Sequence, residues 1–316
     1  MNQIIEKDLT TDDVLGTMDL SGKRVLVTGA GGGLGLETCR ALAVRGAQVV
    51  GAVRDLEKGR AAIAGLSGAS GGVELVELDL ASLQSVRQCA DALLAAGKPF
   101  DVIICNAGVM AAPKGVTKDG FETQFGVNHL GHFLLVNLLL PLLRSGSRVV
   151  MLSSMAHRVA DIDLDDPNFE HRAYDKWVSY GGAKTANVLF TVELDKRLRG
   201  RGVRVAAVHP GVITDTSLKR HLSTEDFAAF TTEDAEPDFH MRNKSIPEGA
   251  ATTVWCAFAA PADEIGGRYN QDCRTSDVND STAVSGAGPR AYAVDPSRAA
   301  ALWKVSEKMV GQSFDF

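Results

Sequence analysis

Tyr180 and Lys184 stand four residues apart in the string YGGAK, which reads as the start of a helix, so both side chains point to one face. A free tyrosine ionises at about pH 10, and a neighbouring ammonium favours the phenolate and draws it toward working pH. Tyr180 is thereby suited to exchanging a proton with a substrate oxygen. Ser154, at the end of a strand over residues 148–153, can donate a hydrogen bond to that same oxygen as charge develops on it. Asn128, in an apolar helical run, is placed to hold a water that links Lys184 to solvent. The alternative for the pair is an amphipathic helix with a solvated lysine.

A second chemical feature lies near the N-terminus. The run TGAGGGLG at 28–35 sets Gly29, Gly33, Leu34 and Gly35 between an apolar stretch and a helical pattern. Missing Cβ atoms there let backbone amides approach a pyrophosphate, and a helix N-terminus adds partial positive charge. A merely structural turn is the alternative. The next strand ends Val53-Arg54-Asp55. An acidic side chain at that place accepts from the free ribose hydroxyls of NAD, whereas an arginine pairs with a 2′-phosphate. Arg54 makes NADP the preferred dinucleotide, Asp55 keeps NAD possible, and a local pairing of Arg54 with Asp55 or Glu57 is the competing explanation.

Positioning these groups requires a frame. Short apolar runs at 23–28, 48–53, 73–78, 102–106, 148–153 and 203–209 alternate with helical patterns at about 34–45, 83–95, 127–143 and 180–198. Strands alternating with helices predict an α/β fold, a parallel sheet covered on both faces. Residues 267–270 are expected to form a seventh, edge strand. A helix is expected at 248–259 and another from Pro296, capped by Asp295 and ended by Gly311. Residues 1–20 read as an N-terminal extension, and 21–316 as a single dinucleotide-binding catalytic domain. Within it, 212–247 loses regularity and carries Phe227, Phe230, Phe239, His240 and Met241, as a substrate loop or lid would. The glycine turn, Asn106-Ala107-Gly108, Ser154 and Tyr180 all fall at or beyond the carboxyl ends of strands, where open α/β sheets bind ligands.

Composition narrows the function classes. With 33 basic and 39 acidic residues the net charge of −6 excludes a broadly basic nucleic-acid binder. Hydrophobic residues at 45% and charged ones at 23% suit a globular chain. Five scattered cysteines without a CxxC pair point to a reducing compartment, with Cys105 a small apolar core residue. The polar, acidic N-terminus does not resemble a signal peptide, and the apolar run 130–143 is broken by His132, Asn137 and Pro141, so no membrane anchor and a cytoplasmic location are expected. His129, His132 and His157 lack metal-ligand spacing and read as packing residues, so no metal is assigned. Leu134 to Leu143 can pack within the fold or against a second subunit, leaving monomer and homo-oligomer both open.

Across residues 21–275 the chain resembles the short-chain dehydrogenase/reductase family. The resemblance rests on TGAGGGLG (28–35), ELDLAS (77–82), CNAGVM (105–110), FGVNHLGHF (125–133), LSS (152–154), YGGAK (180–184) and HPG (209–211). The longer strings NHLGHFLLVNLLLPLL, SYGGAKTANVLF and GRYNQDC are similar to the branch that includes retinol dehydrogenases, the WW-domain oxidoreductase and protochlorophyllide reductase. It implies a three-layer, doubly wound Rossmann-type sheet of about seven strands and reversible hydride transfer between a nicotinamide and a carbonyl or alcohol. By the same resemblance Asn128, Ser154, Tyr180 and Lys184 form a catalytic tetrad, with Lys184 also holding the nicotinamide ribose. Asp79 and Leu80 flank the adenine, while Asn106, Ala107, Gly108, Pro210 and Gly211 complete the cofactor lining. Ala183 departs from the serine often found before the lysine, and the span from Ser154 to Tyr180, with its acidic DIDLDDPNFEH, is long for the wider family. That span is expected either to shape the pocket rim or to be a solvated loop. The substrate class expected is a small to medium, partly apolar carbonyl or alcohol. The alternative is a catalytically silent sensor that keeps the dinucleotide site.

Overall fold

The computed structural model describes residues 8–66, 68–216, 218 and 242–316. A short helix α1 (Thr11–Leu15) leads into β1 (Arg24–Thr28), α2 (Gly33–Val44), β2 (Gln48–Val53), α3 (Leu56–Ile63), β3 (Val73–Glu77), α4 (Leu83–Ala96), β4 (Phe100–Cys105), α5 (Thr123–Leu142), β5 (Leu143–Leu152) and α6 (Lys176–Leu198). Then follow β6 (Arg204–His209), α7 (Ile246–Val254), α8 (Ala262–Ile265), β7 (Tyr269–Gln271), β8 (Arg274–Thr275) and α9 (Pro296–Val310). The strands form one sheet in the order β3-β2-β1-β4-β5-β6-β7-β8. All neighbours are parallel except β7 and β8, and Val25 registers with Val49 on one side and Val102 on the other.

Strands buried on both faces alternate their side chains between two cores. Leu26, Ile103 and Val149 face one core, closed by α4, α5, α6 and α9, and Val25, Val102 and Ile104 face the other, closed by α1, α2 and α7. Part of the stretch read as an N-terminal extension joins the second core: Leu15 and Leu20 are buried in it, and the Thr11 hydroxyl donates to Glu37 of α2. Against the first core lies α9, which begins at Pro296 after the Asp295 cap and ends at Gly311 in the left-handed conformation. Its Trp303 stands edge-on to Phe133 and stacks on Phe190, which fastens the C-terminus over α5 and α6.

The sheet has eight strands, one more than expected. The strand expected at the edge is interior, and β8 pairs with it antiparallel through a tight turn at Asp272 and Cys273, both with positive φ. Such a turn normally announces itself with Asn-Gly or Asp-Gly, and Asp-Cys carries no such signal. Helix α6 begins four residues before the expected position, because the Asp175 carboxylate accepts from the amides of Trp177 and Val178. Among the described residues α5 alone is long and apolar enough to cross a membrane, and 83% of its most apolar window is buried inside the fold.

Candidate active site

Strand order reverses between β1 and β4, opening a crevice at their carboxyl ends. Thr28 stitches the two strand ends: its Oγ1 accepts from the amides of Asn106 (2.9 Å) and Ala107 (3.0 Å), and its carbonyl accepts from Asn106 Nδ2 (2.8 Å). Only glycine fits the turn that follows. A Cβ on Gly29, whose φ is +72°, lies 2.9 Å from Ala107 Cα, and one on Gly35 lies 2.2 Å from the Gly29 carbonyl oxygen. Glycine at 32 leaves open space where a side chain would stand, and α2 starts there with no side-chain cap and no acidic residue in its first turn. Those free amides at the positive end of a helix dipole fit a dinucleotide pyrophosphate.

The turn opens into a cavity of about 950 Å³. Every residue singled out above for the cofactor lines it, together with Ser154, Tyr180 and Lys184. At its far end Arg54 is exposed and makes no hydrogen bond or ion pair with a described residue. Its two expected local partners are occupied: Asp55 caps α3 and pairs with Lys58, and Glu57 pairs with Arg60. Asp79 pairs with Lys118 and accepts from the Ala81 amide.

At the other end, Tyr180 and Lys184 are buried one turn apart on α6, with Lys184 Nζ 5.7 Å from the phenol ring centroid. Lys184 Nζ donates to the Leu152 carbonyl at 3.1 Å. Burial pushes Tyr180 up to about 12, against a smaller opposing effect of the Ser154 hydroxyl. Burial likewise brings Lys184 down to about 8. Desolvation thus moves the phenol opposite to the expected direction, and at neutral pH the chain alone holds Tyr180 as a protonated phenol. Ser154 ends β5's extension and caps the turn Met155–Arg158, its Oγ accepting from the Ala156 amide.

Asn128 does not line the cavity. It sits in a π turn, Gly126–Leu130, and its carboxamide is spent on Val109: Oδ1 accepts from the Val109 amide and Nδ2 donates to the Val109 carbonyl. Both ends of that carboxamide are thus engaged in bracing the segment after β4, and the second N–H of Nδ2 and second lone pair of Oδ1 are what it retains for the expected water. A Cβ on Gly108 would lie 3.0 Å from Asn128 Oδ1 and 3.7 Å from Lys184 Nζ, so this glycine keeps the two residues adjacent.

Sequence reasoning missed Met155, Trp177 and His209 in the lining. Trp177 precedes Tyr180 by three, one turn away on the same helix face, and its ring stands 6.4 Å from the phenol. The span between Ser154 and Tyr180 meets the cavity only at its two ends, through Met155 and Trp177, and its acidic middle packs on itself. No residue of 156–176 lines the cavity; Asp163 and Asp166 accept amides of their own loop and pair with Arg172. Of the loop expected over substrate, the base is stitched: Val212 bridges Asn243, and the Lys244 amide donates to the Val212 carbonyl at 2.7 Å. Phe227, Phe230, Phe239, His240 and Met241 lie outside the described residues. His129, His132 and His157 are buried packing residues, and among the described residues no three metal-ligating side chains cluster.

Residues 23–226 match the family model for short chain dehydrogenases. The chain belongs to the short-chain dehydrogenase family. Human retinol dehydrogenase 13 is 40% identical over 296 residues, covering 92% of this short-chain dehydrogenase and 86% of the human protein, which bears out the branch indicated by the longer strings. An uncharacterized protein from Mycobacterium paratuberculosis has a crystal structure 38% identical in sequence, with a TM-score of 0.75 over 98% of this chain and 100% of that one. A Pseudomonas aeruginosa RhlG/NADP active-site complex is 25% identical, with a TM-score of 0.63 over 81% of this chain and 96% of that one. This short-chain dehydrogenase is an oxidoreductase working with a nicotinamide cofactor on a small substrate.

Proposed function

We propose that the protein interconverts a medium-sized, partly apolar carbonyl compound and its alcohol with NADP(H), using Tyr180 as general acid and base. The observation that carries this reading is the convergence of Ser154, Tyr180 and Lys184 on the cavity that the glycine turn opens. When bound, the nicotinamide supplies or accepts the hydride at the substrate carbon. Tyr180, kept protonated by its burial, gives its proton to the oxygen as that atom gains charge. Ser154 donates a hydrogen bond to the same oxygen. Lys184, anchored on the Leu152 carbonyl, places a cation beside the phenol and would hold the nicotinamide ribose when the cofactor is bound. Asn128 keeps the Val109 segment in place below them. Arg54, which no described residue pairs, and the engagement of Asp55 as a helix cap support NADP over NAD, as does the NADP complex of the RhlG relative.

The deciding experiment follows NADPH and NADH oxidation against a panel of aldehydes, ketones and quinones, with retinal added because a relative is named a retinol dehydrogenase. In Tyr180→Phe, turnover is expected to fall by about a hundredfold or more. The dissociation constant for NADPH should stay within about threefold, since the hydroxyl is spent on the proton rather than on binding. Equal turnover in the variant overturns the mechanism. Tight cofactor binding without turnover across the whole panel favours the sensor reading instead.

A further inference from the structure

Two imidazoles that the chemistry above does not use meet at one peptide bond. His157 and His209 are both buried, and Tyr269, fully buried itself, packs against both rings, with centroids 5.0 and 6.5 Å away. Nδ1 of His157 lies 2.7 Å from the Ser154 carbonyl oxygen, and Nδ1 of His209 lies 3.2 Å from the Met155 amide nitrogen. That carbonyl and that amide belong to the same peptide unit. A carbonyl only accepts and an amide only donates, so the two rings must be opposite tautomers. His157 carries its proton on Nδ1 and uses bare Nε2 to accept from the Arg290 amide at 3.2 Å. His209 leaves Nδ1 bare, where it also accepts from the Gly211 amide at 3.4 Å, and carries its proton on Nε2.

We propose that His157 and His209 are positioning residues for Ser154, a pair of neutral imidazoles that grip both polar groups of the Ser154–Met155 peptide and so set where the Ser154 hydroxyl meets the substrate oxygen. The proposal rests on the reading of Ser154 given above. The arrangement orients without touching the reaction. His209 ends β6 and Ser154 follows β5, so the grip also ties together the ends of two adjacent strands, with Gly211 of the cavity wall held by the same nitrogen. The Ser154 Oγ accepts from the Ala156 amide, so its proton points to the Tyr180 side, where the substrate oxygen would receive it. A hydroxyl held this way keeps its direction only while the peptide behind it cannot rotate.

The test uses the NADPH-bound enzyme and compares His209→Leu, His209→Asn and His209→Gln in wild-type and Ser154→Ala backgrounds. Asparagine presents an amide oxygen where Nδ1 stood, whereas glutamine reaches only the Nε2 position. His209→Leu and His209→Gln are expected to lower kcat by roughly tenfold to a hundredfold, the scale of a misplaced reacting group, a larger change than that in the NADPH dissociation constant, which reads the hold on Gly211. His209→Asn should restore most of that loss. In the Ser154→Ala background the same His209 substitutions should have little further effect on kcat, because their influence runs through Ser154. If His209→Leu does not fold, the contrast between asparagine and glutamine carries the test alone. Equal losses in both backgrounds, or glutamine performing as well as asparagine, overturn the grip while leaving the role of Ser154 intact. An unaltered kcat in Ser154→Ala itself overturns the reading of Ser154 and the proposal with it.

Discussion

Arg54 stands at the mouth of the cavity with its guanidinium unengaged by any described residue, while the acidic residue beside it spends its carboxylate on a helix cap. A planar fork with free donors recognises a phosphate, so Arg54→Ala is expected to weaken NADPH binding by about tenfold to a hundredfold, the worth of one or two charge-assisted hydrogen bonds. NADH binding should change by less than about twofold. Equal losses for the two cofactors, measured by titration of each against both proteins, remove Arg54 from phosphate recognition. At this scale the glycine turn, Ser154, Tyr180 and Lys184 were legible from residue type and spacing, because each chemistry demands a particular side chain at a particular offset. Asn128 was legible as a position and not as a contact: its neighbour Val109 lies nineteen residues away across a turn that no local pattern reveals. His209 was visible only as the first letter of HPG, since its partner amide on Met155 comes from another strand.

Helix α6 carries both Tyr180 and Lys184, and its position depends on Gly181. A Cβ there would lie 2.7 Å from the Ala156 carbonyl oxygen, in the turn that Ser154 caps. The close approach of that turn to the helix is what sets Ser154 beside Tyr180. Gly181→Ala is therefore expected to destabilise the fold by about 1–3 kcal/mol through overpacking and to lower kcat, despite the better helix propensity of alanine. At Gly182 the nearest atom would lie at an ordinary 3.4 Å, so Gly182→Ala should be neutral or stabilising by up to about 1 kcal/mol. Thermal unfolding and turnover of the two variants, side by side, check the pair; similar behaviour removes the close approach from the argument. The helix starts four residues before the expected position because of the cap at Asp175, whereas the glycines at 181 and 182 stay helical because tertiary packing overrides their low propensity. The strands were legible because burial on both faces makes them continuous apolar runs, whereas β8 has two residues and an unadvertised turn.

Across the whole molecule, burial keeps several histidines neutral. It brings His129 and His157 down to about 3 and His132 to about 4, from an ordinary 6.5. A pKa depressed on folding means that the unfolded chain binds more protons between the two values. The stabilisation is therefore complete above about pH 6.5 and is lost as pH falls toward 4 and below. At pH 5 each histidine costs the folded state about 2 kcal/mol, so the urea midpoint should drop steeply between pH 6.5 and 5, before the carboxylates titrate. A midpoint that stays level over that interval contradicts the burial of neutral imidazoles.

The stitch at Val212 and Asn243 has a consequence for descent. Val212 and Thr214 are bonded to Asn243 and Lys244, so the frame itself holds both ends of the stretch between them, as mounts hold a cartridge. Mutation can rewrite its composition and length while the glycine turn, the phenol and the lysine keep their places. Lineages built on this frame are free to diverge in what they act upon without having to reinvent how they act, and swapping that cartridge between relatives is the engineering route the architecture leaves open.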